Sequence, residues 1–258
     1  MTLEHPAYAQ LRPVTDSASV LLCDNPGVMT LEGTNTWVLQ GRGSDERVIV
    51  DPGPDDDAHI ERIAALGRIA LILISHRHGD HTDGIDKLVE RTGAVVRSVG
   101  SGFLRGLGGP LSDGEIIDAA GLRITVLTTP GHTADSVSFL VDGAVLTADT
   151  VLGRGTTVID TEDGSLREYL DSLHRLRGLG KLRVLPGHGP DLDDLEAVSD
   201  MYLAHRRERL DQVRGALREL GDDVSARQVV EHVYTDVDQK LWEAAEKSVQ
   251  AQLDYLNE

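Results

Sequence analysis

The sequence predicts an α/β fold made of two strand-rich halves, each interrupted by helices, and a helical C-terminal region. Short apolar segments recur between glycines and polar residues, as is typical of strands in a mixed sheet protein. The predicted strands are 18–23, 35–40, 47–51, 69–75, 94–98, 115–118, 122–127, 136–141, 144–148 and 183–185, and the predicted helices among them are 56–66, 82–91 and 166–178.

The pattern changes at about residue 193, where long amphipathic stretches replace strands and continue to residue 220. Ser225 and Gln228 have the spacing of a capping box for a helix that continues to about residue 234. A last helix is expected over 238–256. We therefore expect a main domain over residues 1–195 and a helical domain over residues 196–258.

Composition restricts the class of protein. The 258 residues carry a net charge of −18 and a single cysteine, Cys23. Such an acidic chain is poorly suited to broad electrostatic binding of double-stranded DNA or anionic membranes, and one thiol excludes an intrachain disulfide. No secretory signal or transmembrane-length apolar run is evident, so we expect a cytoplasmic protein. The chain does not predict its oligomeric state.

The most informative segment is residues 75–81, which read Ser-His-Arg-His-Gly-Asp-His. It places His76, His78, Asp80 and His81 directly after a strongly apolar run that reads as a buried parallel strand. Open α/β sheets bind their ligands at the carboxyl ends of such strands. Crowded imidazoles and a carboxylate are costly to desolvate unless a cation holds them, so the segment predicts a metal site.

Three further ligand-type residues follow predicted strands: His132, Asp149 and His188. Both of these histidines come directly after a Pro-Gly pair, which fixes a turn. The expected ligands of one ion are His76, His78 and His132, those of a second ion are Asp80, His81 and His188, and Asp149 is expected to bridge the two. A three-histidine set is common in catalytic zinc sites. We expect two zinc ions, with manganese or iron as alternatives.

Two divalent ions and two carboxylates leave a positive charge that can stabilise an anionic transition state, with a bridging hydroxide as the nucleophile. The sequence thus predicts a dinuclear metal-dependent hydrolase. Asp80 or a metal-bound water is expected to protonate the leaving group. Asp51, at the end of a strand, could orient a ligand histidine or cap a turn, and the sequence alone leaves both roles open. Arg154, Gly155 and Thr156 are candidate substrate contacts, because a glycine-rich turn can present backbone N–H groups to an anion, although a purely structural turn fits equally well. Asn35 is a further candidate contact, with strand-edge packing as the alternative.

The HxHxDH segment with a downstream His, Asp and His resembles the metallo-β-lactamase superfamily. The resemblance implies an αββα four-layer sandwich with the metal site at one edge. The runs 25–37, 153–157 and 205–207 are similar to the β-lactamase-like protein 2 subfamily, which implies endoribonuclease activity on single-stranded RNA. It also implies a C-terminal winged-helix segment, expected here as a reduced helical appendage because the chain ends at Glu258, where the wing strands would begin.

Alternatives stay open for the substrate. Five arginines and two acids lie between His205 and Arg218, which suits a phosphate chain or, alternatively, an exposed helix face with ion pairs such as Arg207 with Asp211. Hydrolysis of a small thioester or lactone, similar to glyoxalase II, fits the same metal centre and the acidic charge. A non-catalytic metal-stabilised protein is the third interpretation. β-Lactam hydrolysis is not expected, since the commonest β-lactamases of the superfamily have Cys where Asp149 stands.

Overall fold

A computed structural model describes residues 4–160, 162–221, 224–235 and 238–257, and it contains two sheets. The first sheet has six strands in sequential order: β1 Leu11–Pro13, β2 Ala18–Leu22, β3 Asn35–Leu39, β4 Glu46–Val50, β5 Arg68–Leu73 and β6 Val95–Arg97. The first four strands pair antiparallel, whereas β4, β5 and β6 are parallel. Parallel neighbours need a crossover, and helices supply it here.

The second sheet has five strands in the reverse order, β11-β10-β9-β8-β7. Its strands are β7 Ile116–Ala119, β8 Leu122–Thr128, β9 Val137–Val141, β10 Ala144–Ala148 and β11 Arg183–Pro186. All its pairs are antiparallel except β10 with β11. The helix between these two strands provides the crossover that a parallel pair requires.

Seven α-helices accompany the sheets in the described part of the chain. They are α1 Asp57–Ala64, α2 Gly79–Thr82, α3 Ile85–Thr92, α4 Leu166–Arg177, α5 Leu195–Leu220, α6 Ala226–Val233 and α7 Trp242–Asn257. The caps are those that the sequence offers. Asp56, Ser165 and Asp194 each accept a backbone N–H in the first turn of α1, α4 and α5. Ser225 and Gln228 form the predicted capping box of α6.

The packing forms four layers. Facing apolar side chains of the two sheets, such as Trp37 and Phe139, form the central core. The outer face of the first sheet packs on α1 and α3, with Ile60 and Leu88 fully buried. The outer face of the second sheet packs on α4 and on the first half of α5. The predicted α/β class and the αββα sandwich implied by the resemblance are therefore confirmed.

The helical C-terminal region has a core of its own, formed by the second half of α5 with α6 and α7. α5 belongs to both this core and the outer layer of the sandwich, so one continuous helix joins the two parts. The boundary at residue 195 coincides with the first residue of α5 but stays a prediction. None of the helices in the described ranges is long and apolar enough to cross a bilayer.

Candidate metal centre

Loops at one edge of the sandwich bring together all seven predicted metal ligands. Three groups of side chains have ligand atoms within 4.8 Å of one another. The groups are His76 with His78 and His132, Asp80 with His81 and His188, and His76 with His81 and Asp149. The first two have the membership that the sequence predicted for two separate ions.

Asp149 lies between the two histidine sets. Its carboxylate oxygens are 4.0 and 3.8 Å from the Nε2 atoms of His76 and His132, and 3.5 and 3.4 Å from those of His81 and His188. Its Oδ1 is buried and has no hydrogen-bond partner among the described residues. A buried carboxylate oxygen without a partner is costly, and a cation at that point would satisfy it.

The local backbone explains why these side chains converge. After β5 the chain forms α2, a single turn whose N-cap is His78 and which carries Asp80 and His81. The turn that carries His188 approaches the site closely at Gly187. A Cβ atom there would lie 2.4 Å from Asp149 Oδ1, so only glycine fits.

Asp51 contacts two parts of the site. It accepts hydrogen bonds from the Ser75 hydroxyl at 2.6 Å and from the Ser75 backbone N–H at 2.8 Å. Its Oδ2 also lies 2.9 Å from His81 Nδ1. Since the Ser75 hydroxyl donates to Asp51, its oxygen accepts from His76 Nδ1 at 2.9 Å. The Nε2 atoms of both histidines are thereby left free to face the centre.

The other three histidines have partners that the sequence analysis missed. His78 places Nε2 2.8 Å from Asp160, His132 Nδ1 donates to the Val158 carbonyl at 2.6 Å, and His188 Nδ1 donates to the Gly33 carbonyl at 3.0 Å. Backbone carbonyls leave no residue-type signal in a sequence. Asp160 lies in a loop after β10 with no strand or turn pattern to single it out.

With one nitrogen of each ring held by these partners, the remaining nitrogens point at one another. His78 Nδ1 lies 3.0 Å from His76 Nε2 and 3.1 Å from His132 Nε2. The Nε2 atoms of His81 and His188 are 3.2 Å apart. Converging nitrogen lone pairs repel unless a cation lies between them, so the donor set fits metal ions.

The protonation behaviour of the cluster agrees with cation binding. Burial lowers the pKa of His76 and His132, which keeps both rings neutral as metal binding requires. Burial alone would raise the pKa of Asp149, but His188 and His81 hold it well below the ordinary value. Burial likewise opposes a charge on His188, yet Asp149 and Asp80 raise its pKa well above the usual value. Positive charge is thus favoured at this point.

A cavity of about 340 Å³ opens onto the centre, with His132 and Asp149 in its wall. The C-terminal region contributes to the same cavity through α5 and α7, which the sequence did not indicate. Its apolar lining includes Met29, Leu241 and Ala245. The site is therefore a recess between the sandwich and the C-terminal helices.

Three of the four candidate substrate residues line the cavity, and the fourth does not. Arg154, Gly155 and Thr156 line the cavity, and the Arg154 guanidinium forms an ion pair with Glu32. Asn35 lies outside the residues that line the cavity. Its amide donates to the Pro186 and Gly189 carbonyls at 3.0 and 2.8 Å, so it supports the turn that carries His188.

The chain belongs to the metallo-β-lactamase superfamily of hydrolases, and its donor set has the residue types that divalent metal ions require. The family model of that superfamily matches residues 29–188, and a model of the β-lactamase-associated winged helix domain matches residues 225–258. The chain is 31% identical to the β-lactamase-like protein 2 homolog of Caenorhabditis elegans over 250 residues, which is 90% of this chain and 82% of that protein.

Solved structures share the fold. A β-lactamase domain protein from Burkholderia ambifaria superposes with a TM-score of 0.83 at 20% identity, over 98% of this chain and 89% of that one. A second protein, TTHA1623, was solved in a di-iron-bound form and superposes with a TM-score of 0.54 at 25% identity, over 69% of this chain and 96% of that one.

Proposed function

We propose that this protein hydrolyses an ester, thioester or lactone bond in a small molecule, using two divalent ions held by the seven clustered side chains. The observation that carries the proposal is the cavity. It joins His132 and Asp149 to an apolar surface built from three separate segments of the chain. Recesses of this size with a few polar groups are typical of small-molecule sites.

The cavity wall has apolar side chains that no protein segment covers. Val28 and Met29 are 60% and 51% exposed, and Leu241 is 40% exposed. All three lie around the recess, where an apolar acyl or ring portion of a substrate would bury them. An extended RNA strand needs a long cationic groove, which is difficult to reconcile with a net charge of −18.

Each ion would have its own set of holders. His76, His78 and His132 would bind one, Asp80, His81 and His188 the other, and Asp149 both. The histidine-rich set favours zinc, with manganese or iron as alternatives. When bound, such ions polarise a carbonyl oxygen and lower the pKa of water, which supplies the nucleophile for hydrolysis.

The chain's own groups have defined parts in this proposal. The Gly33 and Val158 carbonyls and Asp51 keep the protons of His188, His132 and His81 on Nδ1, so that Nε2 stays available. Asp80 is the carboxylate at the centre with the most solvent access, its side chain being 29% exposed. Burial opposes its ionisation, but His81 and His188 lower the pKa of Asp80 below the ordinary value, so the carboxylate is ionised and can accept a proton. We assign to it the transfer of the proton that the attacking water gives up to the leaving group.

Cleavage of single-stranded RNA is the second candidate, and one observation favours it. Arg206 and Arg209 of α5 line the cavity, where they can meet a phosphate. Asp211 pairs with Arg214 at 2.9 Å rather than with Arg207, so the expected Arg207–Asp211 pair is wrong. Arg207 is exposed on the same helix.

A substrate screen separates the two candidates. Protein loaded with zinc or manganese is assayed against a panel of acyl esters, thioesters and lactones and against labelled single-stranded RNA, with His132→Ala as the inactive control. We expect turnover within the ester panel that His132→Ala abolishes, and intact RNA. Cleavage of RNA alone, sensitive to the same substitution, would replace the proposal with the second candidate.

A further inference from the structure

Three nitrogen-bearing side chains on one face of α5 line the cavity: His205, Arg206 and Arg209. Arginines in the rest of the described chain commonly pair with carboxylates, as Arg97 does with Glu115 at 2.6 Å. Within the described ranges neither Arg206 nor Arg209 has a carboxylate oxygen within 4.0 Å. In so acidic a protein, two unpaired guanidinium groups beside a metal centre require an explanation.

Arg206 is a buried cation with unused hydrogen-bonding capacity. It is 2% exposed, and its Cζ lies 5.0 Å from the centre of the Tyr169 ring. One of its terminal nitrogens donates to the Thr157 carbonyl. Its Nε is buried and has no hydrogen-bond partner among the described residues. Burying a guanidinium without an anion is unfavourable, and an anion that enters the cavity would offset this cost.

Arg209 lies one helical turn away and is only partly buried. It stacks on the Tyr234 ring at 4.6 Å and donates from Nη1 to Gln212 at 2.8 Å. Its Nε donates to His205 Nε2 at 3.4 Å, a long contact. Because His205 accepts through Nε2, its proton is on Nδ1. That Nδ1 is buried and without a partner in the described part of the chain. The Nε of Arg206 and the Nδ1 of His205 are therefore two oriented donors without a hydrogen-bond partner among the described residues.

We infer that the substrate carries an anionic group, a carboxylate or a phosphate, separate from the bond that is cleaved, and that Arg209 and His205 Nδ1 bind it beside the buried charge of Arg206. This inference rests on the proposed function and gives the substrate a definite class: a small acyl ester, thioester or lactone with an apolar body and one anionic end. A planar guanidinium suits both oxyanions because each presents two oxygens to its donors.

Matched substrates test the inference. The metal-loaded enzyme is assayed with para-nitrophenyl hexanoate, with the ester that carries a carboxylate at the end of the same acyl chain, and with the ester that carries a phosphate there. The variants are Arg209→Gln, Arg209→Lys, His205→Gln and the control Arg207→Gln, which removes an equal charge from an exposed position of the same helix.

For the wild type and Arg207→Gln we expect kcat/KM to be roughly tenfold to a hundredfold higher for one of the anionic esters than for the neutral ester. Arg209→Gln should remove this preference, while Arg209→Lys and His205→Gln should reduce it. Which anionic ester is preferred identifies carboxylate or phosphate. Equal rates on all three esters, or a preference that survives in all three site variants, would overturn the inference.

A binding measurement separates this inference from the proposed function. Calorimetric titration of the metal-loaded protein uses hexanoate, hexyl phosphate and neutral hexanol. We expect an anion to bind the wild type and Arg207→Gln with roughly tenfold higher affinity than Arg209→Gln. Such binding without ester hydrolysis would contradict the proposed function and still support the anion site. If the enzyme hydrolyses neutral esters but Arg209→Gln leaves anion affinity unchanged, the proposed function is supported and the anion site is contradicted.

Discussion

His78 places Nε2 2.8 Å from a carboxylate oxygen of Asp160, which lies 82 positions further along the chain. The same carboxylate accepts a hydrogen bond from Arg77 at 2.5 Å. The opposite nitrogen of His78 faces His76 and His132. Asp160 therefore orients the most exposed histidine of the centre, and we expect the loop after β10 to be coupled to metal binding.

Replacement of Asp160 by Asn should weaken metal binding because the anchor of the His78 ring loses its charge. We expect roughly a tenfold to hundredfold loss of affinity, as is usual for partners of ligand histidines. Competition titration against a chromogenic chelator measures it. Asp163→Asn is the matched control, since Asp163 contacts Arg77 but not His78. Equal losses in the two variants would show that Arg77, and not His78, carries the effect.

Gly187→Ala should disrupt the centre without disturbing the core. Its Cβ would lie 2.4 Å from Asp149 Oδ1 and 2.9 Å from His81 Cε1, so the Asp149 carboxylate must move. We expect loss of metal and of activity, measured by elemental analysis and ester turnover. A Cβ atom at Gly102 would meet nothing within 4 Å, so Gly102→Ala should leave metal content and activity unchanged. Full metal occupancy in Gly187→Ala would contradict this close approach.

Acid stability should depend on His59, which is 2% exposed and lies 2.8 Å from Thr36 Oγ1. Burial lowers the pKa of His59 to about 4. An unfolded histidine titrates near ~6.5, so the unfolded chain binds the additional proton between these values. This contribution to stability is complete above pH ~6.5 and falls by about 3 kcal/mol as the pH drops to about 4.

Denaturant unfolding at a series of pH values checks this dependence. His59→Gln keeps a donor for Thr36 but cannot take up a proton, so its stability should fall less steeply between pH ~6.5 and about 4. His174→Gln changes an exposed histidine and should follow the wild type. Identical slopes for wild type and His59→Gln would show that His59 contributes nothing to acid sensitivity.

Removal of metal should destabilise the protein. Five buried or half-buried imidazoles and two carboxylates converge in the centre, and ions that bind this set only in the folded chain stabilise the folded state. We expect a chelator to lower the melting temperature by several degrees and added zinc to restore it. His76→Ala, which removes a ligand shared by two of the groups, should respond much less. A melting temperature that does not change when the chelator is added would contradict this account.

The sequence predicts most of this fold because its strands are apolar, evenly spaced and bounded by turns. All ten predicted strands match strands of the structure to within a residue or two at each end. The prediction missed one strand, β1, Leu11–Pro13, which is three residues long, pairs only with β2 and ends in proline. So short an edge strand has no periodicity to detect.

The sequence predicted which side chains cluster in the centre, but not the residues that surround them. His76, His78 and His81 lie close in sequence, and their residue types are informative on their own. Asp160, in contrast, reaches His78 only through the folded loop after β10. The cavity depends on how α5 and α7 pack against the sandwich, and helix packing of this kind follows from three-dimensional contacts that no local pattern records.

The central claim is that the seven side chains hold two ions, and the most direct test is the metal stoichiometry of the purified protein. Inductively coupled plasma mass spectrometry after dialysis should find about two divalent ions per chain, and about one in His188→Ala, which loses a ligand of one set only. A folded wild-type protein that binds no more than one ion under zinc-replete conditions would contradict the account.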